Sequence, residues 1–249
     1  MTASEIRQEA RKCLTGKWGK GALATLIFVV ISYIISFVLN LVPMVGSIAA
    51  SIISIPLSFG FTVVMMCKLK RNEDFSYLDF FKAGFDKFVK VWQTTLWIFV
   101  KMLAPIVVAI IGAVIMASGI TMSAAGSSGS VLIILGIIVY LVGIIWTIPR
   151  AYSYRLALYI VNDNPNMLAK EAVEKSAEIM NGHRWAYFWL QCTFIGWAIL
   201  ACFTLGIGML WLIPYMHVST VAFYDNLIGN KKDESDTDET VAENPIQEN

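Results

Sequence analysis

Six stretches of this chain are emptied of charge: Gly21–Val42, Met44–Cys67, Thr94–Ile120, Val131–Ile148, Phe188–Phe203 and Leu205–Phe223. Together they hold one formal charge, Lys101. A water-soluble chain needs a largely polar exterior, and 57% hydrophobic against 15% charged residues cannot supply one. A helix crosses a bilayer core of about 30 Å with roughly 20 apolar residues. Four of the tracts reach that length, and the last two, parted only around Thr204, read as a tight pair of shorter spans. The expected fold is therefore all-α, a polytopic membrane protein with six transmembrane helices in three hairpins. A net charge of +1 gives no reason to expect a nucleic-acid partner.

The basic residues are distributed unevenly. Arg7, Arg11, Lys12, Lys17 and Lys20 precede the first span. Lys68, Lys70, Arg71, Lys82, Lys87 and Lys90 lie between the second and third. Arg150, Arg155, Lys170, Lys175 and Arg184 lie between the fourth and fifth, and Lys231 and Lys232 follow the sixth. The alternate connections, 41–46, 118–130 and 204–206, carry no charge. Lys and Arg stay on the cytoplasmic side, so both termini are expected in the cytoplasm of a cell-membrane protein. The first span is too long for a signal peptide, and its Ala22-Leu-Ala24 lies before the apolar run instead of after it. Cys13, Cys67, Cys192 and Cys202 form no CxxC, which argues against a disulfide framework or a zinc site.

Each odd-numbered span is expected to follow an amphipathic helix at the membrane surface. Over Tyr77–Trp92, Leu78, Phe81, Phe85, Phe88 and Trp92 recur at helical spacing, with Ser76 and Asp79 placed as a capping box. Ser4–Leu14 aligns Ile6, Ala10, Cys13 and Leu14, and a third helix is launched by Asn164-Pro165 and stopped by Asn181-Gly182. A basic residue and a tryptophan come next each time: Lys17-Trp18, Lys90-Val-Trp92, Arg184-Trp185. A proline then marks each return span: Pro56, Pro149, Pro214. The pattern predicts three parallel units, about 3–70, 76–163 and 165–229, within a membrane domain of 1–230. The acidic, weakly hydrophobic 231–249 is expected to be a disordered cytoplasmic tail.

Several residues fit a known pattern. Ser176-x3-Met180-x-Gly182-His183-x-Trp185, Phe194-Ile-Gly-Trp197, Leu205-Gly-Ile-Gly208, Pro214-Tyr215 and Ala222-Phe-Tyr224 occur in order. So do Ala10-x3-Leu14-x-Gly16-x-Trp18-Gly19, Tyr152–Tyr159 and Asp163-Asn-Pro165. This run resembles an uncharacterised bacterial integral membrane protein family, domain of unknown function 975. The Ser123–Ser130 loop and Lys101 stand outside that pattern. The resemblance implies a fold and a location and no activity.

Few side chains invite chemistry. Gly46, Ala50, Ser54, Ser58 and Thr62 form a small row along the second span, suited to close helix packing, and Ser32, Ser36 and Asn40 repeat that spacing in the first. Lys101, with no acidic residue in any span, either snorkels to the headgroups or faces inward to hold an anion. His183 and Arg184 are read at headgroup height, and His217 as a packing histidine beside Pro214. These four are the candidate lipid or anion contacts; no catalytic, cofactor or metal residue is expected. There is no P-loop, HExxH or GxSxG motif and no paired intramembrane carboxylate. The favoured function is a non-catalytic envelope-associated protein that acts through membrane lipids or other membrane proteins. A small-solute or lipid transporter is the alternative. A lipid-headgroup enzyme using His183 with Glu178 is the third reading.

Overall fold

The computed structural model describes the backbone of residues 2–42 and 45–243 and the side chains as far as Gly229. The fold is all-helical among the described residues. Its helices are α1 (Ala3–Leu14), α2 (Trp18–Asn40), α3 (Val45–Phe59) and, after a π-helical segment (Gly60–Met65), α4 (Met66–Arg71). Then follow α5 (Asp79–Asp86), α6 (Phe88–Ala124), α7 (Ser130–Ser153), α8 (Ala157–Asp163), α9 (Ala169–Ile179), α10 (Arg184–Phe203) and α11 (Met209–Glu243). The expected tail, 231–249, has its side chains outside the described residues, and 244–249 lie outside them altogether.

Among the described residues, five helical stretches are long and apolar enough to cross a membrane: Trp18–Asn40, Val45–Arg71, Phe88–Ala124, Ser130–Asp163 and Arg184–Phe203. The expected sixth, over Leu205–Phe223, is not among them. It falls in α11, where Pro214, Tyr215, His217, Ser219 and Thr220 dilute the apolar run. Protein surrounds that part of α11 on most sides: Val218, Ser219, Val221, Ala222 and Tyr224 are fully buried, against α1, α2, α4, α10 and the π segment. Ser219 and Thr220 bond back to the Tyr215 and Met216 carbonyls at 2.8 and 3.0 Å, so their hydroxyls need no outside partner.

The α6–α7 pair is joined along a seam of glycines. A Cβ at Gly112 would fall 2.3 Å from the Tyr140 nitrogen, one at Gly136 2.3 Å from the Met116 nitrogen, and one at Gly143 2.5 Å from the Ala109 nitrogen. Gly112 and Gly119 lie seven residues apart, as do Gly129, Gly136 and Gly143. A seven-residue repeat keeps one face in register with a left-handed crossing. Lipid tails are as apolar as leucine, so close van der Waals approach must hold such a pair together. In the small row of the second span a Cβ on Gly46 would likewise meet the Leu39 carbonyl oxygen, at 1.7 Å. Further along, α2 and α3 part around a cleft of about 210 Å³ lined by Ser32, Ser36, Ala50, Ser54 and Ser58.

The three amphipathic helices exist with altered bounds and altered partners. Thr2 and Glu5 cap α1 reciprocally, and its stripe of Ile6, Ala10 and Leu14 is buried against α11. The stripe of α9 is likewise buried, and α9 begins at Ala169, four residues beyond the expected Pro165. The expected Tyr77–Trp92 helix breaks at Lys87, whose ammonium turns inward to the Asn162 carbonyl at 3.1 Å. Only α5 keeps aromatic side chains outward, Phe81 and Phe85, while Phe80 is fully buried. An apolar stripe seeks the nearest dry surface, and for α1 and α9 that surface is the bundle.

If the glycine seam holds the α6–α7 pair, Gly112→Leu and Gly136→Leu should each cut the yield of monodisperse protein sharply. Overpacking costs about 1–3 kcal/mol even where neighbours can shift, and here backbone blocks the way. Ile110→Leu and Ile134→Leu, at exposed positions on the same helices, should leave the yield unchanged in size-exclusion chromatography. Equal yields from all four would show that the seam is not a contact surface.

Candidate functional site

Proline within a helix leaves the carbonyl four residues earlier without its N–H donor. In lipid such an acceptor needs another partner. Pro56 frees the Ile52 carbonyl, which accepts the Trp92 indole N–H at 3.2 Å. Pro105 frees the Lys101 carbonyl, which accepts a guanidinium N–H of Arg150 at 3.0 Å. Each freed carbonyl is thus satisfied by a side chain from another helix.

A chain of charges ties the basic end of the bundle together. Lys70 sits 3.0 Å from both Glu9 of α1 and Asp225 of α11. Arg71 places both arms of its fork on Asp163 at the end of α8, at 3.0 and 2.8 Å, and also reaches Asp225 at 2.9 Å. Asn226 closes the circuit onto Glu9 at 2.9 Å. Lys68 holds Asp79 of α5 at 3.0 Å. That hydrogen bond keeps the Asp79 carboxyl below its ordinary range.

A second polar strip runs deeper. Ser176 of α9 donates to the Ser153 carbonyl at 2.8 Å and accepts the Leu156 N–H at 3.2 Å, satisfying the backbone at the break between α7 and α8. Arg155, at that break, donates to the buried Tyr187 hydroxyl at 3.2 Å, which lies 3.4 Å from Thr220. The Tyr159 hydroxyl donates to the Thr62 carbonyl of the π segment at 3.5 Å. Sequence reasoning counted Arg71, Arg150 and Arg155 only toward orientation. The signal it passed over was the pairing of Arg71 with Asp163, the last residue of α8, and with Asp225 within α11; Arg150 and Arg155 bond instead to the Lys101 carbonyl and the Tyr187 hydroxyl.

The profile of DUF975, a protein family of unknown function, matches residues 1–231. The chain belongs to this family. No curated protein and no solved structure matches it.

In this DUF975 protein the four candidate contacts lie apart, except for the sequence neighbours His183 and Arg184. Lys101 faces Glu174 of α9 at 3.5 Å, with its side chain 37% exposed. The acid comes from an amphipathic helix and not from a span. His183 is exposed at the N-cap of α10, and Arg184 opens that helix with its Nε buried and unpartnered. His217 is half-buried, edge-on to Phe61 with centroids 6.4 Å apart. Of the three landing tryptophans, Trp18 packs on Tyr215 and Trp92 caps Ile52, while Trp185 is exposed and stacks on Phe188.

The carbonyl caps can be tested as a pair. Trp92→Phe should destabilise the protein by about 1 kcal/mol, the net worth of one hydrogen bond. In a Pro56→Ala background residue 56 regains its N–H for Ile52, and the same Trp92→Phe change should lose most of its effect. Thermal melts of the four proteins in one detergent read the coupling. Additive effects would mean that the indole does not serve the proline-freed carbonyl.

Proposed function

We propose that this DUF975 protein is a non-catalytic, multi-pass protein of the cell membrane that acts through lipids or partner proteins. The observation that carries the reading is the fate of the charges at the basic end: Glu9, Lys70, Arg71, Asp163 and Asp225 bind one another. Groups spent on such ties are not free to meet a substrate, and general acid–base work needs groups that are.

Six crossings in three hairpins remain the architecture we favour, with α11 as the sixth. A span enclosed by other helices need not be apolar all round, since its polar side chains face protein. The three short helices α1, α5 and α9 each precede one pair, in keeping with three repeated units. Basic residues flank the same ends of these pairs, which supports cytoplasmic termini. Helix length explains Lys101. The 37 residues of α6 extend about 55 Å at 1.5 Å per residue, well beyond a core of about 30 Å. With Ala124 near the outer face, Lys101 falls at the cytoplasmic headgroups, where pairing with Glu174 is natural. A transport reading has one feature in its favour: the cleft between α2 and α3, where the Ser32 hydroxyl is buried without a partner.

The test is a deletion strain complemented with variants at matched membrane abundance. His183→Ala, Lys101→Met and His217→Ala should each retain most of any phenotype. Complete loss from His183→Ala would overturn the non-catalytic reading, and complete loss from Ser32→Ile would shift the function to transport. In the same strain Ser127→Cys should take up an impermeant thiol reagent from outside while Cys13 does not; the reverse would invert the orientation.

A further inference from the structure

Between α1 and the α10–α11 pair runs a groove of about 400 Å³, and its two ends differ in chemistry. One end carries Arg7 and Arg11 of α1; the walls carry Trp197 and Leu200 of α10 and Trp211 and Leu212 of α11. Trp197, Leu200 and Trp211 are 54%, 58% and 45% exposed, so the groove opens sideways through an apolar rim. Such a rim faces acyl chains and not water, if the chain spans a bilayer as argued above.

The basic end differs from the charged residues of α4. Lys68, Lys70 and Arg71 each face a carboxylate, whereas neither Arg7 nor Arg11 has an acidic partner among the described residues. The Arg7 Nε is buried without an acceptor. The two acids of the same helix are occupied elsewhere, Glu9 by Lys70 and Asn226 and Glu5 by the Thr2 N–H. Two like charges one helical turn apart repel each other, and here they adjoin an apolar groove. The Tyr215 hydroxyl, donating to the Arg7 carbonyl at 3.5 Å with its ring against Trp18, holds α1 in this position. Paired guanidiniums match a phosphate by charge and by their forked donors, while tryptophan and leucine walls suit fatty-acyl chains.

We infer that this groove binds an anionic phospholipid, with its phosphate between Arg7 and Arg11 and its acyl chains along Trp197, Leu200 and Trp211. The inference rests on the membrane reading and names the lipid chemistry that the reading leaves open. Lipid in this groove bridges α1 to the last helix pair, so the occupant also fastens the amphipathic helix to the bundle.

The experiment uses the full chain in phosphatidylcholine vesicles, titrated with brominated phosphatidylglycerol or brominated phosphatidylcholine while tryptophan fluorescence is followed. The anionic lipid should quench at the lower mole fraction, and Trp211→Phe should reduce the amplitude. Arg7→Gln and Arg11→Gln should each lower the preference about fivefold, as one basic contact to an anionic lipid surface is worth about 1 kcal/mol. Arg7→Lys with Arg11→Lys should keep most of it, which separates lost charge from lost folding. Equal quenching by the two lipids, or a preference untouched by the double Gln variant, overturns the inference. So does relief of quenching by millimolar inorganic phosphate, which would make the ligand a soluble anion. A preference that appears only after removal of residues 231–249 would give the groove to the acidic tail and likewise overturn it. Absence of quenching by either lipid would sink the membrane reading itself, a failure distinct from that of the groove.

Discussion

Lys70 and Arg71 stand side by side at the end of α4 and between them hold Glu9, Asp163 and Asp225. Those three carboxylates belong to α1, α8 and α11, so one dipeptide fixes the positions of four helices at the basic end of the bundle. Removing one member of a fully buried ionic group costs about 3–5 kcal/mol, because its partners are left charged and alone. These side chains keep some exposure, so the cost here is smaller, though the geometry is favourable: the Arg71 fork grips Asp163 with two bonds. Charge neutrality also matters beside a bilayer. Two cations are set against three carboxylates, and the bundle presents no bare positive cluster at this point.

Away from that end the structure answers a different demand, which is to leave no backbone group unsatisfied where water is scarce. The glycine seam lets α6 and α7 meet backbone to backbone, and the carbonyls freed by Pro56 and Pro105 are satisfied by Trp92 and Arg150. Ser176 does the same at the break between α7 and α8. At Pro56 and Pro105 a break in the helical ladder therefore coincides with a tie to a neighbouring helix.

Much of this was legible in the sequence. The charge-free tracts, the stop at Gly182 (φ +79°) and the Ile6–Ala10–Leu14 stripe all follow from local rules of length, conformation and periodicity. What escaped was set by distant partners. The apolar stripes of α1 and α9 read as membrane-surface helices because periodicity reports a buried face without saying what buries it. The expected sixth span falls short of the other five for the same reason, as His217, Ser219 and Thr220 lie in a helix enclosed by protein. The glycine repeat from Gly112 to Gly143 was visible in the sequence too, but the row from Gly46 to Thr62 drew the packing expectation, and that row lines a cleft beyond Gly46. Arg7 and Arg11 counted toward orientation, and only the folded chain sets them beside Trp197 and Trp211.

The central claim is that the Lys70–Arg71 hub holds the basic ends of α1, α4, α8 and α11 as one unit, separate from the α6–α7 seam. Hydrogen exchange read by mass spectrometry, on wild type and Arg71→Met in the same detergent, tests it directly. Faster exchange should appear together in α1, in α8 and in residues 220–229 of α11, with the peptides of 106–120 and 131–145 unchanged. Acceleration confined to α4, or spread equally across α6 and α7, would contradict the account.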